Sequence, residues 1–161
     1  GLCVGANDVE SVLRSLPTMP LRYAAQDQIA RELAQWWQGQ AACVQVLHPA
    51  LLGSPGHQHW KNLCASQGGS GHAAGLFSVM LDPRLSQEKV DAFCDELKLF
   101  KIGYSWGGPI SLVVPYKLET VRSSWPSDLQ KGHLVRFSTG FENANDLIAD
   151  LRQSSQKNLI F

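Results

Sequence analysis

The sequence predicts an α+β fold, with a small, mainly antiparallel sheet of about four strands and helices packed on one face. Three observations support this. Short apolar runs of strand length recur along the chain, and amphipathic patterns of helical period lie between them. The two kinds of element do not alternate strictly, as they would in a parallel β-α-β protein. The length fits one domain, to which we assign residues 1–161.

The first helix is marked by Asn7, which is followed three residues later by Glu10, the spacing of an N-cap and an N3 residue. It should end near Leu16, since Pro17 and Pro20 are expected to break it.

Apolar residues three or four positions apart then predict a longer helix over residues 21–38, with Gly39 as its stop. Further helices are expected over residues 57–66, over residues 87–97 after the cap residue Ser86, and after the cap residue Asn143. Four strands are expected, at residues 43–47, 76–81, 110–114 and 133–138. Residues 48–56 and the Gly/Ser-rich residues 67–75 should form loops.

Composition excludes several classes of function. Fourteen basic and fourteen acidic residues cancel, and no run of like charges occurs, which argues against nucleic acid or a charged membrane surface as partner. The apolar segments are too interrupted by charge to span a membrane. The N-terminus has neither an initiator Met nor a basic signal-peptide region, so we expect a cytoplasmic chain that belongs to something longer.

The cysteine and histidine pattern argues against a metal centre. Cys3, Cys43, Cys64 and Cys94 lie twenty-one to forty residues apart, which favours reduced thiols over a zinc cluster or a redox pair. Four of the five histidines fall within residues 48–72, and a metal site there is the alternative. However, two of them are only two residues apart and would point to different sides of a helix, so we predict no bound metal.

The informative stretch is Tyr-Ser-Trp-Gly-Gly at residues 104–108, called the YSWGG segment below. Its two glycines allow a sharp turn or a close approach to a ligand. Tyr104 and Trp106 offer planar apolar surface, and Ser105 offers a hydroxyl. Residue chemistry alone leaves two interpretations open, a ligand site or a buried aromatic turn.

Arg136 lies in the middle of a predicted strand, and the alternation of side chains places it on the face opposite to that of Val135 and Phe137. An arginine there is costly unless its guanidinium meets a partner. A carboxylate ligand would suit its planar fork, and an Asp or Glu of this chain would suit it equally.

Several segments resemble, in the same order, the C-terminal half of the PLP-dependent enzymes of Cys/Met metabolism. They are residues 15–22 (SLPTMPLR), 48–51 (HPAL) leading to Gly56 and His57, 75–78 (GLFS), the YSWGG segment with Ser111 and Leu112, 134–136 (LVR) and 146–151 (DLIADL). The resemblance covers nearly the whole chain, and the YSWGG segment is typical of the bacterial cystathionine β-lyase branch.

The resemblance implies the C-terminal domain of a fold-type I PLP enzyme that forms homotetramers and converts cystathionine into homocysteine, pyruvate and ammonia. It implies that Arg136 binds the substrate α-carboxylate and that Tyr104, Ser105 and Trp106 line the substrate and cofactor pocket. The lysine that carries PLP in that family follows Ser-x-Thr, and no lysine here has that context. We therefore expect no catalytic residue in this chain, a missing PLP-binding domain, and no activity or bound cofactor for this chain alone.

Two further departures are a Pro109-Ile110 pair where the family usually has Glu before Ser-Leu, and a longer link over residues 67–74. The alternative to an enzyme fragment is a free-standing binding module, or an association module, that keeps the fold without catalysis.

Overall fold

The fold is α+β in the computed structural model, which describes residues 3–65, 71–121 and 123–159. The strands are β1 (Cys43–Leu47), β2 (Leu76–Leu81), β3 (Lys101–Ile102), β4 (Leu112–Tyr116) and β5 (His133–Ser138). They form one sheet in the order β1-β2-β5-β4-β3, in which every pair is antiparallel except β3 with β4. The predicted fold class is confirmed, with the two-residue β3 as an addition to the four expected strands.

The helices are α1 (Ala6–Ser15), α2 (Met19–Gln38), α3 (His57–Cys64), α4 (Gln87–Asp95), α5 (Leu118–Val121) and α6 (Ala144–Asn158). Ser86 and Asn143 cap α4 and α6 as predicted, since their side chains accept hydrogen bonds from Lys89 N and Asn145 N. The short α5 was not anticipated.

The prediction for the first helix was wrong about its N-cap and correct about its end. Gly5, not Asn7, is the N-cap of α1, and Asn7 lies inside the helix. α1 ends at Ser15, next to the predicted Leu16, and each proline falls in the first turn of the next helical segment, Pro17 in the 3₁₀ turn Leu16–Thr18 and Pro20 in α2. A proline in a first turn removes only an N–H that has no partner within the helix.

One face of the sheet carries the core. Val79, Val113, Val135 and Phe137 all point to this inner face and are fully buried. Helices α2 and α4 contact the sheet there, and α6 packs against both helices. The helices therefore lie on one side, as the sequence predicts, and Trp37 belongs to this core.

The opposite, outer face of the sheet carries Ser78, Val114 and Arg136, which are paired across β2, β5 and β4. Part of this face is covered by the connection before β5, because the side chain of Gln45 bonds the backbone of Asp128 and Gln130. Arg136 projects from this face and is partly exposed.

Asp150 fixes the approach to β3. This buried carboxylate on α6 accepts hydrogen bonds from the backbone N–H groups of Lys98 and Leu99, at 2.9 and 2.8 Å, and more distantly from that of Phe100. The turn that leads into β3 and the YSWGG segment is thereby attached to the helical layer.

Asp27 anchors the chain where it approaches β2. Its buried carboxylate on α2 accepts hydrogen bonds from Arg31 Nε at 2.9 Å, from the backbone N–H of Ala73 and from His72 Nδ1 at 3.2 Å. Burial alone would raise the pKa of Asp27, but the hydrogen bonds from Arg31, Ala73 and His72 together lower it below its usual value.

The four cysteines are all free thiols. Burial raises the pKa of Cys43 to about 11 and, with the nearby charges of Asp91 and Asp95, that of Cys94 to about 12. Both thiols are thus held in the unreactive protonated form. In the described part of the chain, no helix has the length and apolar character needed to cross a bilayer.

Phe137 should be the most costly side chain of the sheet to shorten. It is fully buried, and its ring lies 5.3 Å from that of Phe77, 5.4 Å from that of Phe100 and 5.8 Å from that of Trp37. We expect Phe137→Ala to lower the free energy of unfolding by about 3–5 kcal/mol in urea titrations, because it leaves a cavity among these rings. Leu63→Ala, at a position with 85% exposure, should change it by less than about 0.5 kcal/mol. Equal losses for both variants would contradict this description of the core.

Asp27→Asn should remove a pH-dependent part of the stability. Because the folded-state pKa of Asp27 lies below the unfolded value, its contribution is fully present above the unfolded pKa of about 4. It is lost as the pH falls through the lower folded value. We expect the variant to unfold about 1–3 kcal/mol more easily at pH 7, with the difference shrinking as the pH falls below about 4. Chemical unfolding at several pH values measures this, with the exposed Asp128→Asn as the matched control. A pH-independent difference would contradict the assignment.

Candidate functional site

The guanidinium of Arg136 is the centre of the candidate site. β5 projects it from the outer face of the sheet, where Nη2 donates a 2.7 Å hydrogen bond to the carbonyl oxygen of Tyr104. The rings of Trp106 and Tyr116 lie 5.7 and 5.8 Å from its central carbon. This geometry is favourable for cation–π contact and fixes the plane of the guanidinium.

The structure thus brings together the residues that the sequence analysis singled out. The main chain of Tyr104 and the ring of Trp106 contact Arg136, and Ser105 lies between them with an exposed side chain. Tyr104 and Trp106 are 70% and 64% exposed, so the interpretation as a buried aromatic turn is wrong. Gly107 has a φ of +73°, a conformation that a side chain would disfavour, and this allows the turn.

The other interpretation of Arg136 was a structural ion pair. Among the described residues, the ion pairs involve other cations, and no Asp or Glu is paired with Arg136. Its described partners are the carbonyl oxygens of Tyr104 and, at 3.5 Å, Ser105, together with aromatic faces, and none of them carries the negative charge that a guanidinium prefers. The arginine therefore has donors available for an external anion.

The end of β5 holds the stretch that follows the YSWGG segment. The backbone N–H of Phe141 donates to Pro109 O at 3.0 Å, and Gly140 lies so close that a Cβ there would come within 2.2 Å of the same oxygen. The carboxylate of Glu142 accepts hydrogen bonds from both the N–H and the hydroxyl of Ser111, each at 2.8 Å. The loop containing Pro109 and Ile110 is therefore well anchored.

A cavity of about 310 Å³ adjoins the YSWGG segment. It is lined by residues of α2, of the approach to β2 and of the segment itself, among them Arg22, Tyr23, Leu76, Trp106 and Gly107. The indole of Trp106 therefore takes part both in the wall of this cavity and in the contact with Arg136. A small polar ligand at the guanidinium would have this concave surface beside it.

Sequence analysis missed Tyr116. Its ring faces Arg136 and meets the ring of Tyr104 edge to face, with 6.1 Å between the ring centroids. The predicted strand ended at Val114, since a proline at position 115 argues against a strand. If the predicted strand is extended by two residues, the alternation of its side chains places Tyr116 on the same face as Arg136.

The histidines do not converge. His48 is fully buried and accepts a hydrogen bond from the N–H of Ala50, while His57 contacts Pro49 O and His72 contacts Asp27. Burial chiefly lowers the pKa of His48, which favours its neutral form. Within residues 3–65, 71–121 and 123–159, no group of three or more His, Cys, Asp or Glu side chains could hold a metal ion.

Known proteins resemble this chain in sequence and in structure. Residues 1–156 match the family described as Cys/Met metabolism PLP-dependent enzyme. The chain is 33% identical over 154 residues to a cystathionine β-lyase of Salmonella typhimurium, which covers 94% of this chain and 37% of that protein. It is 32% identical over 151 residues to an L-alanine/L-glutamate racemase of Wolbachia pipientis, covering 94% of this chain and 36% of that protein.

Among solved structures, a cystathionine γ-synthase of Xanthomonas oryzae pv. oryzae in complex with cystathionine has a TM-score of 0.71 and 28% identity. The match covers 91% of this chain and 37% of the solved chain. The present chain thus spans a little more than a third of the relatives it matches. Because the family match extends over almost its whole length, the chain belongs to the Cys/Met metabolism PLP-dependent enzyme family.

Proposed function

We propose that this chain is the C-terminal domain of a PLP-dependent carbon–sulfur lyase of the cystathionine β-lyase type, which converts cystathionine into homocysteine, pyruvate and ammonia. The observation that carries the proposal is the guanidinium of Arg136 in a chain of this family, which aromatic rings flank and which has no carboxylate partner among the described residues. Relatives of this chain are named for carbon–sulfur chemistry, but one is named as a racemase, so identity alone leaves the reaction open.

In this proposal Arg136 binds the substrate α-carboxylate. The carbonyl of Tyr104 occupies Nη2, while Nε and Nη1 have no hydrogen-bond partner among the described residues. Nη2 carries two N–H groups and belongs to both edges of the guanidinium, so its second N–H and a free neighbouring N–H can still donate the two parallel hydrogen bonds that a carboxylate accepts. The rings of Trp106 and Tyr116 keep the guanidinium plane in place before the ligand arrives.

Tyr104, Ser105 and Trp106 line the rest of the pocket. The exposed hydroxyl of Ser105 is free to donate or accept a hydrogen bond beside the bound carboxylate. Trp106 separates the guanidinium from the neighbouring cavity, so it can direct the remainder of the substrate along the cavity wall. These residues bind and orient, and none is positioned by the described contacts to remove a proton from a ligand.

PLP supplies the electron sink for cleavage of the carbon–sulfur bond. The described residues fit the substrate side of such a site but not the attachment of the cofactor, because all seven lysines are exposed and none follows Ser-x-Thr. We therefore place the cofactor-binding lysine in a PLP domain outside this chain, and this chain alone should be inactive. Homotetrameric assembly and a cytoplasmic location complete the proposal.

Replacing Arg136 should weaken substrate binding in the full-length gene product. We expect Arg136→Met to raise KM for cystathionine roughly 100-fold, because a bidentate charge-assisted pair is lost. Arg136→Lys should recover only part of this, since a lysine cannot form two parallel hydrogen bonds. Steady-state rates of pyruvate release give KM and kcat, and an absorbance scan measures bound PLP.

Arg152→Met is the matched control, because Arg152 is exposed on α6 and should leave both constants unchanged. An unchanged KM in Arg136→Met would refute the carboxylate role. A native gene product close to the 17.7 kDa of this chain, without bound PLP, would refute the enzyme and favour a free-standing binding or association module.

A further inference from the structure

Gln26 is a buried polar residue of α2 that neither the sequence motifs nor the proposed substrate contacts involve. Only 6% of its surface is exposed. Its side-chain amide nitrogen lies 2.8 Å from the carbonyl oxygen of Gly108 and 3.0 Å from that of Thr139. These two carbonyls belong to the two halves of the candidate site, the YSWGG segment and the end of β5.

We propose that Gln26 is the positioning residue that sets the YSWGG segment against Arg136, and hence the distance between Trp106 and the guanidinium. This inference rests on the proposed function, since it assigns a role to Gln26 in the same carboxylate site. One amide group has two N–H donors, so it can satisfy both carbonyls at once and fix the gap between them. Leaving a buried carbonyl without a donor costs more free energy than a hydrogen bond contributes on average. The two hydrogen bonds from the Gln26 amide, called the Gln26 bridge below, should therefore stay formed.

The backbone around Gln26 is equally constrained. The hydroxyl of Thr139 donates to the main-chain oxygen of Gln26 at 3.1 Å, and the N–H of Thr139 donates to Gly75 O at 2.7 Å. A Cβ on Gly75 would lie 2.6 Å from the Thr139 hydroxyl oxygen and 3.0 Å from the Cβ of Gln26. Gln26 is therefore closely packed at the point where α2, the approach to β2 and the end of β5 meet.

Apart from this bridge, few bonds hold the YSWGG segment itself to β5. The N–H of Gly107 reaches the hydroxyl of Ser138 at 3.4 Å, which is a long contact, and Tyr104 O accepts from Arg136 itself. Gln26 also lines the cavity beside Trp106 and Gly107, so it lies directly behind the segment that it holds. Losing its donors should release the segment while the core beneath stays packed.

Hydrogen exchange on this chain tests the positioning role. Gln26→Met keeps the length of the side chain and removes both donors, and Gln26→Glu presents an acceptor to the two carbonyls. We expect exchange of the Gly107 and Phe141 amides to rise about tenfold in the first variant and further in the second. Amides of β2 should not change. Gln28→Met is the matched control, because Gln28 is exposed on the same helix and its side chain donates to Glu32, away from the YSWGG segment.

Steady-state kinetics of the full-length gene product gives the second readout. Gln26→Met should raise KM for cystathionine about tenfold and change kcat less than about threefold, since substrate binding is disturbed and not the chemical step. Unchanged Gly107 and Phe141 exchange, or equally faster exchange at all amides, would overturn the proposal, as would a fall in kcat at constant KM. If the wild-type product does not cleave cystathionine, the proposed function fails, while the exchange data still decide whether Gln26 holds the segment.

Discussion

The alternation of one strand governs both the core and the site. Phe137 of β5 packs among aromatic rings on the inner face, and its neighbour Arg136 therefore points to the outer face. A slip of one residue would bury the guanidinium among those rings and expose Phe137. The free energy that keeps Phe137 buried thus also fixes the face of the sheet from which Arg136 projects.

The YSWGG segment is exposed because of how β3 and β4 are connected. They are parallel neighbours, a pairing that usually needs a crossover of about a dozen residues or more, often a helix. Here residues 103–111 alone join the two strands. This loop leaves the short strand β3 and returns directly beside it to begin β4. Such a short excursion has no room for a core of its own. Its aromatic side chains stay in solvent, and its backbone depends on hydrogen bonds to α2 and β5.

The sequence predicts well those elements whose own residues determine them. β1, β2 and β5 have their expected bounds, because apolar alternation and flanking loops mark them directly. Pro17 marked the end of α1 correctly, whereas the start of α2 was placed two residues late, because Pro20 lies in the first turn of α2 and not before it. The meeting of Arg136 with Tyr104 and Trp106 is a tertiary contact across some thirty residues. The chemistry of the residues alone does not predict this contact, and only the family resemblance places Arg136 and the YSWGG segment in one site.

The open surface around Arg136 has an energetic consequence. Two opposite charges 4 Å apart attract by only about 1 kcal/mol in bulk water and by about 4 kcal/mol near a partly shielded protein surface. With Tyr104 and Trp106 mostly exposed, a carboxylate at Arg136 would be near the weaker limit. A second protein surface that covers Arg136 and excludes water would strengthen the attraction between its guanidinium and the carboxylate, with Arg136, Tyr104 and Trp106 in the same positions. In the proposed enzyme, the affinity for the substrate carboxylate would therefore come from Arg136 and from the PLP domain that covers it together.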